Sequence, residues 1–96
     1  AGASTAGEKV GDSMIVPTVH SNGTAGAELL DQLCDAGAAV QAAMEAHAKA
    51  APNGRDYYPQ GPQALPAAIE AWATRQAALD LVYRELATLA EAVADL

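Results

Sequence analysis

Two stretches of this 96-residue chain carry apolar side chains at alternating spacings of three and four, and a Pro/Gly-rich segment divides them. The first stripe is Leu30, Leu33, Gly37, Val40, Met44, His47 and Ala51; the second is Leu65, Ile69, Trp72, Gln76, Leu79, Tyr83, Leu86, Ala90 and Val93. A period of about 3.5 residues is that of one helix face laid along another helix. The expected fold is therefore all-α: an antiparallel helical hairpin of two long helices, one over about 24–51 and one over about 63–95, joined by a loop at 52–62. Ser21-Asn22-Gly23-Thr24 followed by Glu28 and Asp31 reads as the first helix start, near Thr24. Pro52-Asn53-Gly54 ends that helix, because Pro removes a donor and Gly accepts positive φ. Pro62 and Pro66 are tolerable only in a first turn, so the second helix begins between them. Paired about the turn, Met44 would face Trp72, Val40 Gln76, Gly37 Leu79 and Leu33 Tyr83.

Composition sets how such a hairpin can be stable. Hydrophobic residues form 51% of the chain, yet 25 of them are alanine, Phe is absent, and the aromatic residues are Tyr57, Tyr58, Trp72 and Tyr83. For this mass, surface scaling leaves roughly 5,100 Å² exposed out of about 14,000 Å² in the unfolded chain, a single marginal domain. The second helix is apolar at Leu79, Val82, Tyr83, Leu86, Leu89, Ala90, Val93 and Leu96, more than one partner helix can cover. A homo-oligomer, dimer or higher, built as a helical bundle is expected. Residues 1–13 are small, Gly-rich and without periodicity, which predicts a flexible N-terminal arm ahead of one domain at 14–96. Ile15, Val16 and Val19 around Pro17 form a short extended segment that could lie on a neighbour.

Several classes are excluded. No apolar run approaches the roughly 20 residues of a membrane span. A net charge of −7 argues against nucleic acid as partner. Cys34 is the single cysteine, so no disulfide framework exists. A basic start and an apolar core segment of a secretory signal are both missing, and a cytoplasmic location is expected.

The connection holds the chemistry. Asn53, Arg55, Asp56, Tyr57 and Tyr58 lie in it, and Trp72 and Arg75 come from the start of the second helix; these seven are the candidate ligand-binding residues. Lys49, Arg55 and Arg75 are three of only five basic residues, and they gather at the end where a helix N-terminus attracts anions. Tyrosine stacking beside arginine suits a base or sugar carrying phosphate. The plainer alternative is that both tyrosines pack back on the bundle end and Arg55 pairs with Asp56 or a helix C-terminus. His47 has no Cys or carboxylate at ligand spacing and reads as a hydrogen-bonded, half-buried histidine. Gln76 and Tyr83 must find polar partners on the inner stripe, or line a cavity that Gly37 helps to open. No acid, base and nucleophile converge, so no catalytic residue, metal or cofactor is expected.

The string Pro52-Asn53-Gly54-Arg55-Asp56-Tyr57-Tyr58-Pro59-Gln60-Gly61, preceded by Pro17-Thr18-Val19-His20 and Asn22-Gly23-Thr24, resembles a group of small all-helical proteins of tailed phages and prophages. The resemblance covers residues 14–96 and implies Met14 as an alternative start. It implies a bacterial host cytoplasm as the setting, where small oligomeric phage proteins include inhibitors that sequester nucleotide signals of immunity. On that analogy the expected function is a non-enzymatic, anti-defence binding protein holding a small anionic nucleotide-like ligand at the Arg/Tyr loop. The alternative is an interaction or assembly module, structural or accessory, or an inhibitor binding a host protein.

Overall fold

The computed structural model describes residues 7–10 and 14–96. Helix dominates, as the sequence predicts: α1 spans Gly26–Lys49, the short α2 Gly54–Tyr57, and α3 Ala64–Ala94, with a 3₁₀ turn at Tyr58–Gln60. A small element was not expected. Strand β1 (Gly7–Val10) pairs antiparallel with β2 (Met14–Pro17), Gly7 opposite Pro17 and Val10 opposite Met14.

This strand corrects part of the expected arm at 1–13; the rest of that segment lies outside the described residues. The reason is visible in β2, where successive side chains point to opposite faces. Val16 is 2% exposed where β2 packs on α3, whereas Ile15 is 57% exposed. The extended segment around Pro17 thus lies on a helix of its own chain. It covers the C-terminal part of α3, where Val93 is also buried.

Helix α1 begins two residues later than expected. His20–Gly23 closes a turn, with Gly23 N–H donating to the His20 carbonyl at 3.1 Å, and Ala25 becomes the N-cap without a side-chain cap bond. At its far end Lys49 stands in the last turn, where positive charge favours the helix dipole. Pro66 sits in the first turn of α3, as its missing N–H requires.

The chain between the long helices is coiled. Asn53 caps α2, its Oδ1 accepting from Asp56 N–H at 3.3 Å. The 3₁₀ turn then ends at Gly61, which has φ of +103° and ψ of 169°. That region of backbone space is open essentially to glycine alone. A Cβ there would meet nothing within 4 Å, so a substitution strains the backbone and nothing else. Gly61→Ala is expected to lower stability by about 1–3 kcal/mol in urea unfolding, and an unchanged midpoint would show that the connection relaxes.

Helices α1 and α3 lie alongside each other in opposite directions. Residues 44–47 meet 72–76, Gly37 and Tyr83 line one groove, and Leu30 and Val93 line another. This register differs from the expected pairing by about one helical turn: Met44 meets Gln76 instead of Trp72, and Trp72 meets His47. Its cause is polar. The carbonyl of His47 lies in the last turn of α1, where it lacks an i+4 partner. The Trp72 indole N–H reaches it at 2.8 Å.

The two helices bury little. Val16 and Val93 are the buried apolar side chains among the described residues, and Ile69, Leu81, Val82 and Leu96 are exposed by 45%, 51%, 43% and 61%. The molecule measures 61 × 29 × 18 Å with a radius of gyration of 18.9 Å, against about 12.5 Å for a compact chain of this length. Its accessible surface is 6764 Å², roughly 1,600 Å² above the scaling value.

Candidate functional site

At the closed end of the helix pair, four side chains form one connected polar group. Gln76 Nε2 donates to the Met44 carbonyl at 3.2 Å, which leaves its Oε1 as acceptor for His47 Nδ1–H at 2.6 Å. His47 is therefore the Nδ1-protonated tautomer, with a lone pair on Nε2. Arg75 Nε–H donates to that nitrogen at 3.4 Å. The His47 ring also stacks on Trp72, centroids 5.4 Å apart and planes 10° off parallel. The satisfied, half-buried histidine and the partnered glutamine expected from the inner stripe are both present.

The seven candidate residues divide into three sets. Asn53 and Asp56 satisfy each other: besides the cap bond, Asn53 Nδ2 donates to Asp56 Oδ2 at 2.9 Å. Trp72 and Arg75 surround His47. Arg55, Tyr57 and Tyr58 remain, Tyr57 half-buried and Tyr58 77% exposed. The two tyrosines thus behave differently, and only Tyr57 turns back toward the helices.

The basic residues at this end form no ion pair among the described residues. Among the described residues the one ion pair joins Arg84 Nε to Asp80 Oδ2 at 2.9 Å, far along α3. Lys49, Arg55 and Arg75 are paired with no described carboxylate, although acidic residues outnumber basic ones twelve to five. Asp56, next to Arg55 in sequence, accepts from Asn53 at one oxygen, keeps its negative charge, and forms no ion pair with Arg55. The start of α3 adds further positive potential.

The described clefts lie elsewhere. One of about 580 Å³ is lined by Pro17, Val19, Gly26, Leu30, Val93 and Leu96 at the far end. A second of about 360 Å³ runs between Cys34, Gly37, Gln41, Tyr83, Leu86 and Glu91. None of the seven candidates lines either. Gly37 opens the second groove, as a Cβ there would meet nothing within 4 Å, and it does so beside Tyr83 rather than opposite Leu79. Cys34 is exposed.

Sequence reasoning placed Trp72 and Arg75 at this end but left out His47 and Gln76, which tie them together. The spacing Trp72-x-x-Arg75-Gln76 opposite a histidine one turn from a helix end was the available signal. Among the described residues no three His, Cys, Asp or Glu side chains gather as a metal set, and no helix is long and apolar enough to cross a membrane. Comparison with protein-family models, characterised proteins and solved structures returned no match.

Proposed function

We propose that this chain is a non-enzymatic binding protein, a helical hairpin that associates with copies of itself and holds a small anionic, nucleotide-like ligand at its loop end. What supports this is that Lys49, Arg55 and Arg75 form no ion pair among the described residues of an acidic chain, with Arg55 in the connection next to exposed Tyr58 and Arg75 further along α3 against His47. Arginine forks take phosphate oxygens two at a time, and an exposed tyrosine ring offers a face on which a base can stack. In a phage, the resemblance of the Asn53–Gly61 string points to sequestration of a nucleotide signal of host defence, in the host cytoplasm.

Calorimetric titration with cyclic nucleotides and ADP-ribose derivatives tests this. Arg55→Ala is expected to weaken binding about tenfold to a hundredfold, the loss of one charge-assisted contact. No heat from the wild-type protein with any of these compounds, or unchanged affinity in Arg55→Ala, removes the proposal.

A second function is favoured by a different observation. Leu96, at the C-terminal end of the apolar stripe and away from the loop, is 61% exposed, and in an interaction or assembly module this end would dock on another protein. A stoichiometric protein partner, with no response to small molecules, would support it.

A further inference from the structure

We propose that His47 is the positioning residue of an oxyanion fork, holding the Arg75 guanidinium by its Nε so that both terminal amino groups remain uncommitted for the two oxygens of a phosphate. The proposal rests on the anion-binding role of the loop end proposed above, and adds to it the group that orients the cation.

The order of donors and acceptors is fixed along the whole chain of bonds. The Met44 carbonyl can only accept, so the Gln76 amide presents NH₂ to it at 3.2 Å and turns its oxygen toward His47. That oxygen can only accept, so His47 places its proton on Nδ1, at 2.6 Å. The lone pair is then left on Nε2, where Arg75 Nε–H meets it at 3.4 Å. Stacking on Trp72, whose indole N–H is bonded to the His47 carbonyl at 2.8 Å, fixes the plane of the ring. A guanidinium has five N–H donors in a rigid plane. Spending Nε–H on a neutral nitrogen keeps the full positive charge and leaves the outer edge of the fork, the edge that matches two oxygens of one phosphorus. A carboxylate in place of His47 would hold Arg75 as firmly and cancel its charge. Neutral histidine orients without neutralising.

Two substitutions separate positioning from support of the fold. His47→Asn keeps a polar atom where Nδ1 stands, facing Gln76, but has nothing at the Nε2 position. His47→Gln places its amide oxygen near the Nε2 position and abandons Gln76. Both lose the ring and its stacking on Trp72, so that loss cancels when the two are compared. Helix content by circular dichroism and unfolding midpoints confirm that each is folded.

The experiment joins nitrogen-15 NMR of the imidazole and of the Arg75 Nε–H group to titration with inorganic phosphate and with 3′,3′-cyclic di-AMP. The expected result is a His47 ring protonated on Nδ1 alone and an Arg75 Nε–H protected from exchange. Cyclic di-AMP affinity then falls about tenfold in His47→Asn and in Arg75→Ala alike, is retained in His47→Gln, and inorganic phosphate competes in the wild-type protein. A proton on Nε2, equal affinity in the Asn and Gln variants, or failure of phosphate to compete overturns the fork. Intact cyclic di-AMP binding with an unprotected Arg75 Nε–H overturns the fork alone. A wild-type protein that binds neither compound while Arg75 Nε–H stays protected overturns anion binding at the loop end as a whole, and the fork with it.

Discussion

Trp72→Ala is expected to lower the free energy of unfolding by about 3 kcal/mol, toward the lower end of the range for deleting a large aromatic from a packed site. Three contributions add. The indole is half-buried between α1 and α3, stacks on His47, and donates to the His47 carbonyl at 2.8 Å. Removal leaves that carbonyl with only its short bond from Ala50 N–H at 3.0 Å. In a domain whose total stability is on the order of 5–10 kcal/mol, such a loss is a large share of the whole. Trp72→Phe keeps the ring and loses only the N–H, so about 1 kcal/mol is expected for it. Urea unfolding of both variants checks this. A loss below about 1 kcal/mol for Trp72→Ala would show that the contact does not hold the helices together.

The second large effect concerns association. Leu81→Asp combined with Val82→Asp is expected to weaken the proposed self-association by about 3 kcal/mol or more, a hundredfold or greater rise in the dissociation constant, because it puts unpaired charge on an exposed apolar stretch of α3 through which that association is proposed to form. Both side chains are 43–51% exposed in the single chain, so helix content should not change. The basis is this exposed surface. Leu81 and Val82 stand 51% and 43% exposed on α3, and a standard interface covers about 800 Å² on each partner. Sedimentation velocity reads the outcome. An unchanged assembly mass in the double variant would place the contact on another face.

How far the sequence disclosed this structure depends on which force fixed each part. Helices α1 and α3 were legible because their periodicity runs through many residues, and Pro52, Pro62 and Pro66 bound them sharply. The extended segment around Pro17 was legible too, but not its pairing with Gly7–Val10 or the burial of Val16 on a helix distant in sequence. Pairing about the turn gave the wrong register by about a turn. Its apolar pattern repeats too closely to distinguish neighbouring registers, and the choice falls to Trp72, Gln76 and His47, whose hydrogen bonds are directional.

The candidate site was legible in part for a related reason. Composition and spacing placed the basic groups and tyrosines at one end, and among the described residues Lys49, Arg55 and Arg75 form no ion pair. Spacing says nothing of which polar groups consume one another. Asn53 and Asp56 sit three apart in a turn and bond to each other. His47 was visible as a polar residue on an apolar stripe, but its contact with Arg75 depends on the register that the sequence left open.

Native mass spectrometry of the protein purified from cells, sprayed before and after addition of cyclic dinucleotides or ADP-ribose derivatives, tests the central claim in a single measurement. The account predicts an assembly at an integer multiple of the 9.7 kDa chain, carrying extra mass equal to one of these compounds, or to a co-purified one, in fixed stoichiometry to the chains. A bare 9.7 kDa monomer that takes up none of them would contradict it.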